Sequence, residues 1–404
     1  MNPVNAAAPS PQTPQNTPPA PPPKVPPPPM RTPAKPPATA TTIEQMVKDA
    51  YAHKCSDIHI RVGHVPRFRL RGELLPAGEH PKTTQELFEQ YLSELLTPGQ
   101  RKTFAETKEL DTAIFYPGLV RCRVNCFDSL NGGAIVLRLI SLTIPSIDEL
   151  KLPQVLKKMI LAHQGLILVT GPTGSGKSTT MAAMMRYLNE SETKHVVTIE
   201  DPIEYVHASQ KCLISQREVG LHTHDFYTAL RSVLREDPDV ILIGEMRDRI
   251  TIGTALQAAQ TGHLVLGTLH TRSAISTINR LLNMYPPEEQ EPMKVQILES
   301  LVGVIAQLLL PTTDGKRTAV HDILINTPAM KDYLMKGNED DAFRLMATDT
   351  IEGMQIMNVA LYEQVINGRI TIEDALGVSP DTNDLERRMR TGGYDSSKSP
   401  RDWA

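Results

Sequence analysis

An α/β protein in two parts is the fold class this sequence predicts, and three observations carry it. From Asp148 onward short apolar strands alternate with helical stretches, the pattern of a mainly parallel sheet. Residues 41–143 instead group several alternating strands with amphipathic helices, the pattern of a separate α+β unit. Within the second part stands Leu166–Ser178, LILVTGPTGSGKS: an apolar strand, a glycine-rich turn and the start of a helix.

The elements follow in chain order. Residues 1–40 hold 16 of the 33 prolines and almost no bulky apolar side chain, so they cannot offset their own ordering entropy. They are expected to be a disordered leader of polyproline II character that acts as a spacer. The P-x-x-P matches at Pro19–Pro22 and Pro26–Pro29 arise trivially in such runs. Order begins at Thr41, which with Glu44 reads as a capping box ahead of Ile43, Met46, Val47 and Ala50 at helical spacing. Strands are expected at Asp57–Val62, Arg67–Leu74, Leu119–Phe127 and Ala134–Ile140, with a helix over Thr84–Leu96. Residues 144–147 read as a linker.

In the second part, residues 148–376, strands are expected at His195–Ile199, Val240–Ile243 and His263–Leu269, separated by helices such as Phe226–Arg235 and Thr251–Thr261. Beyond Pro287 the chain reads as helical from Glu288 to Leu310, then as a strand at Val320–Ile325 and shorter helices to Leu376. Residues 377–404 are polar and read as a flexible tail.

Composition excludes several classes. A net charge of −4 gives no global attraction to nucleic acid or anionic membrane. The four cysteines, Cys55, Cys122, Cys126 and Cys212, contain no C-x-x-C pair and read as reduced thiols; Cys122 and Cys126 share one strand face and belong to a core. No apolar run reaches the length of a membrane span, and a soluble cytoplasmic protein is expected.

The chemistry centres on the glycine-rich turn. Gly171, four residues, Gly176, Lys177 and Ser178 fit the P-loop pattern in full. Glycines let the backbone wrap a polyphosphate, and the amides of Thr173, Gly174, Ser175, Gly176 and Thr179 with the helix start supply donors. Lys177 would reach the β- and γ-phosphates of ATP, and the Ser178 hydroxyl would sit on Mg²⁺. A P-loop also needs acids on the metal side and a group that orients water. IEDPIEY (199–205) offers Glu200, Asp201 and Glu204 as the chain leaves a strand. DPDVILIGEMRD (237–248) delivers Glu245, although Gly244 stands where an Asp usually follows the apolar run. His270 ends a further apolar strand between Thr268 and Thr271, a place suited to sensing the γ-phosphate. Arg121 and Arg123 share one strand face, opposite Val120, Cys122 and Val124, and Arg138 interrupts another strand; a solvated face is the default reading.

Taken together, these blocks resemble the secretion and pilus ATPase superfamily, most closely the type IV pilus retraction ATPases of the PilT family. The resemblance runs from about Ile43 to Leu376 and rests on SDIHIRVGHVPRFRLRGEL (56–74), GLILVTGPTGSGKSTT (165–180), VTIEDPIEYVH (197–207), LREDPDVILIGEMRD (234–248) and TGHLVLGTLHT (261–271). STINRLLNMYPPEEQ (276–290) and EGMQIMNVAL (352–361) extend it. It implies a PAS-like N-terminal domain and a RecA-like ATPase domain with a helical C-terminal part. Carried residue by residue, it makes Glu204 the group that activates water, Glu245 the Walker B glutamate and His270 the His-box residue. Arg123 and Arg138 become arginines that approach ATP at a subunit boundary, and Arg280 a further nucleotide-side arginine. It implies a homohexamer at the cytoplasmic face of the inner membrane, at the pilus base. There it would pass force to a platform protein and work, in some systems, beside a second pilus ATPase.

The chain also departs from the family pattern. The family's AIRNLIRE-like helix appears only as Ala329–Lys336, AMKDYLMK, which suits an accessory or divergent retraction paralogue. A pilus-extension or type II secretion ATPase would carry a paired C-x-x-C insert that this chain lacks. A nucleic-acid-translocating motor would want a basic strip with interleaved aromatics, and none is present. A nucleotide-gated scaffold without hydrolysis would not need Lys177, Glu204, Glu245 and His270 together.

Overall fold

Thr42 opens the first helix, Ile43–Ala52, its hydroxyl accepting from the Gln45 amide. The cap thus lies one residue later than the Thr41–Glu44 box read from sequence, and Glu44 instead pairs with Lys48 one turn on. The computed structural model describes residues 41–140, 142–348 and 352–392. The proline-rich leader and residues 393–404 of the expected tail lie outside the described residues.

The first sheet contains β1 (Asp57–Arg61), β2 (Arg67–Leu70), β3 (Glu73–Pro76), β4 (Glu109–Tyr116), β5 (Val120–Phe127) and β6 (Ala134–Ile140), in the order β3-β2-β1-β6-β5-β4. Every pairing is antiparallel. The single strand expected over Arg67–Leu74 is a hairpin. Arg71 and Gly72 take φ of 51° and 94°, and two successive left-handed residues turn β2 directly into β3. Two elements escaped the sequence reading. Helix Pro98–Thr107 buries no side chain and so lacks an apolar stripe, although Thr97 and Gln100 form a capping box. Strand β4 follows it through Lys108 at φ 64° and pairs along the whole of β5. Helices Ile43–Ala52 and Gln85–Leu95 cover one face of the sheet, burying Met46, Val47, Phe88 and Tyr91 against Ile58, Ile60, Val124 and Leu137. Cys122 and Cys126 lie in that core, where burial pushes both thiols up to about 12 and leaves them inert.

The second sheet contains β7 (Gly165–Thr170), β8 (His195–Glu200), β9 (Leu213–Glu218), β10 (Val240–Ile243), β11 (Leu264–Leu269), β12 (Leu301–Pro311) and β13 (Arg317–Ile325). The order is β13-β12-β7-β11-β10-β8-β9, parallel except for the β12–β13 hairpin. Apolar clusters cover both faces, which explains why β7 and β10 read as unbroken apolar runs. Strand β9 escaped the sequence reading because LISQRE is polar and sits at the sheet edge.

The largest correction concerns Glu288–Leu310. The helix there, Pro287–Ser300, ends before Leu301, and LVGVIAQLLLP is strand β12, paired with β7. A continuous apolar run is compatible with a buried helix or a buried strand. The choice fell to the sheet: β12 pairs in parallel with β7 on one side and antiparallel with β13 on the other. The expected loose tail after Leu376 also differs. Helix Ile372–Val378 runs past Leu376, and helix Thr382–Thr391 packs Leu385 and Met389 against Leu361, Val365 and Ile370. Polar composition concealed this helix, whose apolar contribution is two side chains one turn apart.

Candidate active site

Strand β7 is buried along its whole length and delivers Gly171 at φ 144°. A side chain there would run into the Gln307 carbonyl and meet Ser175 Oγ at 2.7 Å. Gly174 and Gly176 also take positive φ, 80° and 87°. The last of these is the N-cap of helix Lys177–Ser191 and provides no side-chain cap, so the first helical amides stay directed at the cleft. The loop is therefore a cradle that only glycines form, and it fits a polyphosphate.

Behind the cradle lies a support that the sequence reading missed. Gln307, in β12, is 1% exposed. Its amide nitrogen donates to the Ser175 carbonyl, and its oxygen accepts from Thr180 Oγ1 at 2.7 Å. His321 Nε2 lies 3.2 Å from the same oxygen. A glutamine in an apolar run was the available signal. It carries no meaning while the run is read as a helix, because only as a strand does it face the P-loop.

A cleft of about 430 Å³ opens at the C-terminal ends of β7, β8, β10 and β11. Thr173, Gly174, Gly176, Lys177, Ser178 and Thr179 line it. Glu200, Glu204, Glu245 and His270 line it as well, so residues up to about a hundred positions apart meet in one place. Lys177 Nζ donates to the carbonyls of Gly171 at 2.9 Å and Pro172 at 3.2 Å. Burial draws its pKa down, while Glu245 and Glu204 pull it back up.

Glu245 accepts from Arg247 Nη2 at 2.7 Å and lies 3.1 Å from His270 Nε2. The Arg247 hydrogen bond, against the cost of burial, holds this carboxyl below its usual range. Gly244, which stands where a Walker B acid is usual, packs closely on the neighbouring strand. A Cβ at that position would lie 3.2 Å from both Glu200 Cα and the Ile199 carbonyl, and Thr268 Oγ1 already donates to the Gly244 carbonyl. Glu200 accepts from Thr198 Oγ1 at 2.6 Å and Gln216 Nε2 at 3.1 Å, yet burial pushes its pKa up. Glu204 is exposed to the cleft on the loop after β8, and a cis peptide joins Asp201 to Pro202 in that loop.

The remaining candidates lie elsewhere. Gly171 and Ser175 shape the loop from behind and do not line the cleft. Arg280 is exposed in the last turn of helix Ala274–Leu282 and does not line it either. Neither do Arg123, 3.9 Å from Asp111, and Arg138, which donates to Asp57 at 2.9 Å; both belong to the first sheet. Arg121 overturns the solvated-face reading. It is 9% exposed, and its Nη2 donates to Glu218 of β9 at 2.7 Å. The lining also includes Tyr205, whose hydroxyl is 2.9 Å from Thr179 Oγ1, together with Arg247, Leu309 and Arg317. Those four were not anticipated, since nothing in their local sequence separates them from ordinary loop and strand residues.

Known proteins share this arrangement. A family profile described as "Type II/IV secretion system protein" matches residues 35–392. The type IV pilus ATPase PilU of Pseudomonas aeruginosa is 41% identical over 83% of this chain and 88% of its own length. The type IV pilus retraction ATPase PilT of the same organism is 44% identical over 79% of this chain and 93% of its own. Among solved structures, that of the pilus retraction motor PilT with bound ADP superposes with a TM-score of 0.80 at 40% identity, covering 86% of this chain and 99% of that one.

Proposed function

The chain belongs to the type II/IV secretion system protein family, and from that premise we propose that it is a motor driving retraction of type IV pili. It is an ATP-hydrolysing enzyme and a nucleotide binder. The observation that carries the reading is the meeting of Lys177, Ser178, Glu204, Glu245 and His270 in one cleft on a chain 44% identical to PilT. The P-loop amides and Lys177 would hold the phosphates. Mg²⁺ on Ser178 would neutralise charge on the phosphate oxygens. Glu204, exposed to the cleft, would take the proton of the attacking water, with Glu245 and His270 held as a pair on the γ-phosphate side.

The finer assignments extend this. In a homohexamer Arg123 and Arg138, which lie outside their own subunit's cleft, would exchange Asp111 and Asp57 for a neighbour's nucleotide site. An arginine supplied across a boundary acts on the transition state more than on binding. Arg123→Ala and Arg138→Ala are each expected to slow turnover of assembled rings about 100-fold while ADP affinity changes by less than about twofold. Steady-state phosphate release and ADP titration check this; an equal loss in isolated subunits would contradict a role in trans. Arg280 is proposed as a nucleotide-side residue in the ring. Among the described residues no helix is long and apolar enough to cross a membrane. We propose placement at the pilus base through contact with a membrane-embedded platform protein.

A second reading, an accessory retraction ATPase beside a principal motor, is favoured by the altered Ala329–Lys336 segment. One experiment separates them. In cells whose only copy carries Lys177→Ala at normal protein level, a principal retraction motor leaves many surface pili and no twitching. Bald cells would mean extension, and unchanged piliation would point to the accessory role.

A further inference from the structure

The two sheets meet at a buried ion pair. Glu218, the last residue of β9, is 5% exposed, and its Oε2 accepts from Arg121 Nη2 of β5 at 2.7 Å. The same oxygen accepts from the backbone N–H of Ile203 at 3.1 Å. Ile203 immediately precedes Glu204. Glu200, whose carboxyl lies beside the Glu204 backbone, is the register partner of Glu218 across β8 and β9. The loop that carries Glu204 is thus gripped at Ile203 by the Glu218 carboxylate, which Arg121 neutralises from the other domain. Val219 N–H donates to the Glu200 carbonyl at 2.9 Å and His222 N–H to the Glu218 carbonyl at 2.8 Å, so the backbone around Glu218 is itself fixed.

The geometry points to Arg121 as a positioning residue for hydrolysis: by holding Glu218 it holds the loop that aims Glu204, and so ties water activation to docking of the N-terminal sheet. The inference rests on the reading of Glu204 as the group that activates water. Its physical basis is the cost of a buried charge without a partner. With the first sheet docked, Arg121 neutralises Glu218, and the carboxylate keeps its acceptor oxygen on the Ile203 amide. With Arg121 withdrawn, Glu218 must find water or another donor, and the grip on Ile203 loosens. A shift of about 1 Å in a reacting group is enough to lower a rate by up to about 100-fold. The P-loop residues that would hold the nucleotide touch the loop carrying Glu204 where the Tyr205 hydroxyl is 2.9 Å from Thr179 Oγ1, while the glycine cradle itself is braced separately by Gln307. A change of domain orientation during a motor cycle would therefore switch hydrolysis without releasing ATP.

The test uses the purified full-length chain in its assembled form. Arg121→Met and Glu218→Gln are each expected to lower kcat about tenfold while ADP affinity and the KM for ATP stay within about twofold. The double variant should be no slower than the slower single, because the two residues act as one link. Arg121→Lys, which keeps the charge, should recover at least about half of the lost rate. Glu218→Gln retains volume and one acceptor, so it serves if Arg121→Met assembles poorly. Unchanged kcat in both variants, additive losses, or a parallel loss of affinity would overturn the inference. Glu204→Gln, measured alongside, keeps the two claims apart: turnover that survives it defeats the reading underneath, whereas turnover that it abolishes while the Arg121 and Glu218 variants remain normal defeats the link alone.

Discussion

Phosphate release by the Lys177→Ala variant is expected to fall by at least about 1000-fold, below what purified protein detectably turns over. Lys177 begins the helix that follows the glycine cradle, and its ammonium is tethered to the Gly171 and Pro172 carbonyls. It is thus preorganised at the mouth of the loop before any phosphate arrives. Burial has already removed part of its hydration, so each contact it makes with a phosphate oxygen is stronger than in bulk water. Alanine leaves the cradle's amides in place but removes the one cation from the loop. Both nucleotide affinity and rate should drop, the rate by about 4 kcal/mol of barrier or more. Phosphate release from purified wild type and variant at matched protein concentration decides the matter, and equal rates would remove the P-loop from the mechanism.

Glu204→Gln should separate binding from chemistry. The amide preserves shape and can still accept a hydrogen bond, but it does not take a proton from water, and loss of a general base costs about 100- to 10,000-fold. Lys177, Ser178 and the cradle are untouched, so ATP should remain bound and unhydrolysed; nucleotide extracted from the isolated variant would be mainly ATP. Normal turnover would transfer the role to Glu245 or Glu200. The structure ranks these two. Glu245 is held anionic by Arg247 and by the adjacent His270, which suits charge placement near the γ-phosphate. Burial raises the pKa of Glu200, which favours proton acceptance, but its Oε1 already accepts from both Thr198 and Gln216.

The elements most legible in sequence are those whose local chemistry admits one solution. The P-loop is such a case, because glycines followed by Lys-Ser after an apolar strand have few other uses. Buried parallel strands β8, β10 and β11 are another, being short, β-branched and bounded by loops. Leu301–Pro311 was not legible, because an apolar segment adjoining a long helix satisfies either periodicity. Helix Thr382–Thr391 escaped for the opposite reason: its stability comes from Leu385 and Met389 docking on helix Met357–Ile366 and its neighbours, a gain absent from its own composition.

By itself the sequence determined the class of chemistry: a phosphate-binding loop, acids at strand ends, and a two-part α/β chain near neutral charge. Those are properties of residue type and short spacing. Only the tertiary structure decided which groups share a cleft, that Gly244 packs tightly on the backbone of Glu200, and that Gln307 braces the P-loop. Only it turned Arg121 from an apparent surface cation into the buried partner of Glu218. The reason is the same in each case. Position 121 lies 97 residues from its partner, and Gln307 lies 132 from Ser175. At such separations the interaction is set by how sheets and loops pack, which no local pattern along the chain encodes.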